Sequence, residues 1–306
     1  MLPFPLVFHD GYDLHFGDHV FPTAKYRLIR RKLLDDLFAG PEDFLTPEPA
    51  TREQLLLVHT PEWVRKLETG TLTYHDILKL EVPYSRKMVD AYFLAAGGTI
   101  LAARHAISKG VGYNIGGGFH HAFAGYGEGF CAIHDVAVAI RTLQQEGLIR
   151  TALVVDCDVH HGNGTAAIFA GDRSVFTLSI HHFNNYPTEK PPSSIDIHLA
   201  DATGDKDYLD HLRPAYETAV SGFRPDMVFF VAGSDPYYDD QLGGLSLTRE
   251  GLFLRDRLVF DIAFQRHIPV VVTLAGGYAR RLQDTVDLHA ATARAALESL
   301  QEWKSW

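Results

Sequence analysis

The sequence contains very little cysteine. Only Cys131 and Cys157 occur in 306 residues, which excludes a disulfide scaffold and predicts a reducing, cytoplasmic location. Long apolar runs are also missing, since no stretch approaches the ~18–20 consecutive apolar residues that a membrane-spanning helix needs. The apolar segment 1–10 contains no basic n-region and ends in His9 and Asp10. It predicts a first strand rather than a signal peptide.

Basic residues are also fewer than acidic residues. The chain has 28 Lys and Arg against 38 Asp and Glu, a net charge of −10, which disfavours nucleic-acid binding and tolerates cationic substrates. We find no internal repeat and no low-complexity segment. Segments 41–49 and 188–194 are expected to be surface loops, not linkers. We therefore expect one catalytic domain over 1–306, with its oligomeric state left open.

Short apolar runs alternate with helical stretches along the chain. Unalternated runs are typical of strands buried on both faces of a parallel sheet, and they occur at 112–115, 152–155, 175–180, 227–232 and 270–274. Helical spacing occurs at 133–146, 207–222 and 249–265, the last with Ser246 or Thr248 as a candidate N-cap. This order predicts a three-layer αβα fold with a central, mostly parallel sheet. Such sheets bind ligands beyond the carboxyl ends of their strands, where the unusual polar residues of this sequence fall.

The segment DCDVHHGNG at 156–164 is the most informative of these strand ends. In an extended chain, residues two apart share a face, so Asp156, Asp158 and His160 line one side. A carboxylate and an imidazole so placed form half of a metal site, and Asp235 beyond another strand could supply a third ligand. Zinc takes such ligands and keeps a position open for water in catalytic sites. Asp235 on its own could equally cap a helix.

Two further motifs carry groups suited to catalysis. His120 and His121 follow a triple glycine at a strand end, and histidine can both accept and donate a proton near neutral pH. Each imidazole needs an acceptor on its other nitrogen, for which Asp156 is a candidate. Tyr278 follows two glycines at a further strand end, where a phenol can hydrogen-bond a developing oxyanion. A histidine pair or a tyrosine in isolation is more often structural.

Taken together, four motifs resemble the zinc-dependent histone deacetylase family, within the arginase/deacetylase superfamily. They are GGGFHHA at 116–122, DCDVHHGNG at 156–164, AGSDP at 232–236 with LGGLSL at 242–247, and GGY at 276–278. Their order is that of the family, over nearly the whole chain, and the short loops look most like the class IV branch and its bacterial relatives. The resemblance implies a zinc-dependent hydrolase that removes acetyl or longer acyl groups from lysine side chains.

The resemblance also implies residue roles. The zinc ligands would be Asp158, His160 and Asp235. The catalytic groups would be His121 as general base and then acid, His120 paired with Asp156 as its electrostatic partner, and Tyr278 polarising the acyl carbonyl. The acyl-lysine tunnel would be bordered by Gly129, Phe130 and Tyr186. A structural potassium ion would draw on Asp156, Asp158, His160, Ser179 and Ile180.

One position departs from part of the family. Some branches have an aspartate where this chain has Asn163, as partner of the second histidine. Asparagine can accept a hydrogen bond from His121 but cannot share its positive charge, which lowers the expected basicity of His121. The acidic residue with which some relatives hold the substrate backbone cannot be assigned within the loosely matching segment 72–89.

Several alternatives remain open at this point. Ferrous iron could replace zinc, and the substrate could be an acetylpolyamine or another small acylated amine. Small residues such as Gly127 and Ala132 could leave room for a longer acyl chain. A two-manganese centre of the arginase type is disfavoured because Gly162, Ser234 and Pro236 offer no further ligands. A non-catalytic binding module would be expected to have lost ligands, base or tyrosine, and none is missing.

Overall fold

The protein is described from a computed structural model that covers residues 1–303. Its described part is built around one eight-stranded sheet. In chain order the strands are β1 (Leu6–Val7), β2 (Phe44–Leu45), β3 (Val111–Asn114), β4 (Ala152–Asp156), β5 (Val175–His182), β6 (Ile195–Leu199), β7 (Met227–Val231) and β8 (Val270–Thr273). Every strand pair is parallel, in the order β2-β1-β3-β8-β7-β4-β5-β6. The prediction of a parallel sheet is confirmed.

Helices cover the sheet. They are α1 (Lys25–Asp35), α2 (Arg52–Leu55), α3 (Pro61–Thr69), α4 (Tyr74–Leu80), α5 (Arg86–Lys109), α6 (Asp135–Gln145), α7 (Asn163–Ile168), α8 (Asp205–Phe223), α9 (Arg249–Phe264) and α10 (Leu282–Trp303). Helices α5 and α6 pack on each other and α5 packs on β3 and β8, while α8, α9, α10 and α1 form a second series of contacting helices. The three-layer αβα architecture is therefore confirmed. Within residues 1–303 no helix is both long and apolar enough to cross a membrane.

The central strands are buried on both faces, as their apolar runs predict. Every residue of β3, β4, β7 and β8 is buried. The third predicted helix begins after Thr248, whose side chain accepts a hydrogen bond from Gly251 N at 3.0 Å. Thr248, and not Ser246, is thus the N-cap, which satisfies one of the free amides of the first turn.

Three expectations need correction. The predicted first strand at 1–10 is only Leu6–Val7. The predicted surface loop at 41–49 contains β2, which pairs with β1 and forms one edge of the sheet. The strand predicted at 175–180 continues to His182, because its last residues pair with β6 at the other edge. Two-residue strands and half-exposed edge strands leave little apolar signal in a sequence.

The sheet order explains why distant motifs meet. Strands β3, β8, β7 and β4 are consecutive neighbours, and parallel strands end at the same edge of a sheet. The segments that follow these strands carry His120, Tyr278, Asp235 and His160, respectively. The topology therefore gathers the four motifs at one edge.

Candidate metal centre and active site

The three predicted metal ligands form one buried group. One donor atom from each of Asp158, His160 and Asp235 lies within 4.8 Å of the others. His160 Nδ1 lies 2.9 Å from Asp158 Oδ1 and 3.4 Å from Asp235 Oδ2. The backbone holds both carboxylates, since Gly276 N donates to Asp158 Oδ2 at 2.8 Å and Val159 N donates to Asp235 Oδ1 at 2.9 Å.

This group suits a divalent cation. Asp235 Oδ2 is buried without a hydrogen-bond partner, so a lone pair faces His160 unused. Burial alone would lower the pKa of His160, but Asp158 and Asp235 raise it to about 10. The two carboxylates thus favour positive charge between them. One imidazole nitrogen and two carboxylate oxygens are a donor set that zinc accepts.

Close packing around the Asp158 and Asp235 carboxylates requires a glycine in the segment that follows β8. A side chain on Gly276 would place its Cβ 1.9 Å from Asp235 Oδ2 and 2.6 Å from Asp158 Oδ2. Asp240 holds the backbone at Tyr278, because Asp240 Oδ2 accepts a hydrogen bond from Tyr278 N at 2.6 Å. Asp240 therefore serves as a backbone anchor, and it is not among the described groups of three that could hold a metal.

His120 pairs with Asp156, as predicted. His120 Nδ1 donates to Asp156 Oδ2 at 2.7 Å, and both side chains are almost fully buried. Burial lowers the pKa of His120, but Asp156 and Asp158 outweigh it and raise the pKa to about 9. The pair therefore favours a cationic imidazolium beside the Asp158–His160–Asp235 group.

His121 has a neutral partner. Its Nδ1 donates to Asn163 Oδ1 at 2.7 Å, and Asn163 Nδ2 in turn donates to Glu128 Oε1 at 2.8 Å. Burial, together with the charges of His120 and His160, holds the pKa of His121 well below its usual value. His121 is therefore unprotonated at neutral pH and can accept a proton at Nε2. The hydrogen bond to Asn163 acts in the opposite direction and raises the pKa of His121, so the expected effect of the asparagine stays a prediction.

The loop that carries both histidines is anchored by Asp135 at the start of α6. Gly118 N and Phe119 N donate to its carboxylate at 3.0 and 2.9 Å. Gly117 and Gly118 have φ of 69° and 82°, a left-handed backbone that glycine adopts readily. Asp135 was not identified from the sequence, where it ends the segment GEGFCAIHD at 127–135.

Tyr278 lines the same cavity as His120 and His121. Its ring makes edge contacts with Phe21 and Phe130, with centroid distances of 5.8 and 6.3 Å. Burial raises the pKa of Tyr278 well above its usual value, and Asp235 and Asp158 add to this. The phenol therefore stays protonated and can donate a hydrogen bond.

A cavity of about 430 Å³ leads to the predicted metal ligands Asp158 and His160, which line it. Gly129, Phe130 and Tyr186 line it, and the Tyr186 ring meets His121 edge-on at 4.9 Å between centroids. Their role in binding an acyl-lysine stays a prediction. Neither Gly127 nor Ala132 is among the lining residues. Both are buried, and their effect on the room for a longer acyl chain stays a prediction.

Two charged residues near the cavity, Glu81 and Lys25, were not identified from the sequence. Glu81, within the unassigned segment 72–89, lines the cavity, and burial together with Glu128 raises its pKa. Lys25 is fully buried, donates to Ala275 O at 2.6 Å and lies 5.8 Å from the Tyr278 ring centroid. Burial lowers the pKa of Lys25 to about 8. These residues sit in loops or at a helix end, where spacing gives no signal.

The predicted potassium residues lie together but remain untested. Ser179 is the register partner of Asp156 on the neighbouring strand, and Ile180 follows it, buried. Ser179 Oγ lies 2.9 Å from His181 Nδ1. The potassium site stays a prediction.

Comparison with known proteins gives consistent matches. A profile of the histone deacetylase domain matches residues 19–293. An uncharacterized protein of Picosynechococcus is 42% identical over 96% of this chain and 98% of its own length. Histone deacetylase 2 of Arabidopsis thaliana is 30% identical over 92% and 77% of the two chains, and the acetoin utilization protein AcuC of Bacillus subtilis is 33% identical over 79% and 68%. The crystal structure of the HDA15 HD domain superposes with a TM-score of 0.81 at 27% identity, covering 97% of this chain and 90% of that one.

Proposed function

The chain belongs to the histone deacetylase family, and from this premise we propose that it is a zinc-dependent amidohydrolase that removes acyl groups from lysine side chains. The observation that carries the proposal is the buried Asp158–His160–Asp235 group with the unpartnered Asp235 Oδ2 facing His160. A zinc ion held there would polarise the amide carbonyl and lower the pKa of a water molecule in the site.

The surrounding residues supply the proton transfers. His121 Nε2 takes a proton from the attacking water, since its Nδ1 is bound to Asn163. As water oxygen adds to the carbonyl carbon, the carbonyl oxygen becomes an oxyanion, to which Tyr278 donates a hydrogen bond. His121 then gives its proton to the amide nitrogen, the C–N bond breaks, and a carboxylate and an amine leave. His120, paired with Asp156, stabilises negative charge in the site throughout.

A small acylated amine is the second candidate substrate. Glu81 lines the cavity and Glu128 lies close enough to raise its pKa, so two carboxylates favour a cationic ligand such as an acetylpolyamine. The same carboxylates can accept hydrogen bonds from the backbone of an acyl-lysine peptide. The names of two relatives, a histone deacetylase and an acetoin utilization protein, do not decide between these substrates.

The experiment is a turnover panel on one purified sample. The substrates are an acetyl-lysine peptide, a long-chain acyl-lysine peptide and acetylputrescine, each assayed after chelation and after return of zinc or ferrous iron. We expect chelation to abolish turnover and zinc to restore it, with the peptides favoured. Acetylputrescine as the best substrate would select the second candidate. No hydrolysis of any amide by the metal-loaded protein would refute the proposed function.

A further inference from the structure

A second cluster of metal-binding side chains lies at the edge of the sheet, on strands β5 and β6. The parallel register pairs Ser179 with Asp196 and His181 with His198. Residues two apart on a strand share a face, so these four side chains form two adjacent cross-strand pairs on one face of the sheet. A short sequence pattern on each strand, Ser-x-His and Asp-x-His, thus builds a compact patch of donor atoms.

His161 closes this patch from a third element. It belongs to the segment after β4 and points away from the Asp158–His160–Asp235 group, as the alternation along 156–161 predicts. Its ring meets His181 edge-on with centroids 4.6 Å apart, and its Nε2 lies 3.1 Å from Asp196 Oδ1. One donor atom from each of His161, His181 and Asp196 lies within 4.8 Å of the others.

A fourth donor is in place. His198 Nδ1 lies 2.8 Å from His181 Nε2. Imidazole nitrogen and carboxylate oxygen bind zinc at about 2.0–2.2 Å, and structural zinc sites have four ligands in a tetrahedron. Such a tetrahedron separates its donors by about 3.3 Å, close to the spacings within the cluster. His161 and His181 are fully buried, whereas His198 is exposed, so an ion could enter from solvent.

One buried nitrogen of the cluster's side chains has no hydrogen-bond partner. His161 Nδ1 is buried without a partner, which is uncommon for a polar atom in a folded protein. Lys190 is a nearby cation, but its ammonium donates to Asn185 O and Pro187 O. Asp196 therefore keeps its carboxylate directed at imidazole nitrogen and not at a cationic side chain.

We propose that His161, His181 and Asp196, with His198 as the fourth donor, hold a second divalent transition-metal ion of the zinc type. This site is distinct from the Asp158–His160–Asp235 group and does not depend on the proposed function. Since His161 follows His160 directly, an ion there fastens the ligand-bearing segment 156–164 to the two edge strands.

The test is metal stoichiometry in matched variants. Chelated protein is reloaded with Zn²⁺, dialysed against metal-free buffer and analysed for zinc per chain, with circular dichroism as the check on folding. We expect two ions for the wild type, one for Asp235→Ala, one for Asp196→Asn and none for the double variant. Asp196→Asn keeps a neutral oxygen next to His161, so the fold is preserved while affinity at this site falls by more than about tenfold.

Asp201→Asn is the matched control. Asp201 forms a similar pair with His182 at 2.7 Å on the same edge, but its side chain is 70% exposed, and we expect it to leave two ions bound. Co²⁺ loaded into Asp235→Ala should give the visible absorption of a tetrahedral site, and His198→Ala should change that spectrum. No ion in a folded Asp235→Ala, or an ion in that variant that the added Asp196→Asn leaves bound, overturns the proposal.

Discussion

Asn163 Oδ1 lies 2.7 Å from His121 Nδ1 and so fixes the orientation of the proposed general base. The asparagine carries no charge, but its amide donates to Glu128 Oε1 at 2.8 Å. A carboxylate thus acts on His121 through one intervening neutral side chain. This arrangement orients His121 while keeping it less basic than direct contact with a carboxylate would.

Placing a carboxylate directly against His121 should raise its basicity. We expect Asn163→Asp, combined with Glu128→Gln to avoid adjacent like charges, to raise the pKa of His121 by about one unit or more. Because the base must be unprotonated to react, the acid limb of kcat/KM then moves to higher pH. A pH–rate profile that overlays the wild type would show that Asn163 does not set the basicity of His121.

Removing the charge of Glu128 alone should slow turnover. Glu128 Oε1 accepts hydrogen bonds from Asn163 Nδ2 and from Tyr186 OH at 3.1 Å. Glu128→Gln retains an acceptor but loses the charge, and a loss of about 1 kcal/mol in the transition state is about a fivefold fall in kcat. Glu189→Gln is the control, since Glu189 lines the same neighbouring cavity as Glu128. Equal effects of the two variants would argue for a general charge effect instead.

Replacing His121 or Tyr278 should slow the reaction without reducing the amount of metal bound. We expect Tyr278→Phe to lower kcat by about 10²–10³-fold, the usual effect of losing one oxyanion donor. His121→Ala should lower it at least as much. Neither residue contacts the metal as a ligand in our assignment, so zinc per chain should stay the same in both variants. Unchanged rates would refute the roles, and loss of zinc would make them structural.

Much of the site could be predicted because its residues follow buried strands. The apolar runs before His120, His160, Asp235 and Tyr278 are strong signals, and a parallel sheet brings their ends together. The order of the strands could not be read from the sequence. It is set by which faces pack together, and it places β8 and β7 between β3 and β4.

The residues that escaped prediction act through contacts distant in sequence. Asp135 reaches back to Gly118, and Lys25 donates to Ala275, 250 positions away. Glu81 ends α4 with a left-handed φ of 60°, which turns the chain toward the cavity. No periodicity marks such positions, because a loop side chain is placed by its partner and not by an adjacent repeat.

The stability of the fold should depend on pH through His59, away from the site. His59 is buried, its Nδ1 donates to Phe123 O at 3.1 Å, and its Nε2 accepts from His134 N at 3.0 Å. Protonation of Nε2 would remove that acceptor. Burial accordingly lowers the pKa of His59 to about 4, from an ordinary value of 6.5.

Because the unfolded chain binds the proton first, stability is fully present above pH 6.5 and is lost as the pH falls toward 4. The shift corresponds to about 3 kcal/mol of unfolding free energy.

We expect His59→Gln to be less stable than the wild type at pH 7 and to lose less stability on acidification, so that the difference in unfolding free energy shrinks by about 3 kcal/mol. Urea unfolding of chelated protein between pH 7 and 4 measures this without interference from metal release. His75→Gln on the exposed side of α4 is the control, and its curve should run parallel to the wild type. A parallel curve for His59→Gln would show that the buried imidazole does not couple folding to protons.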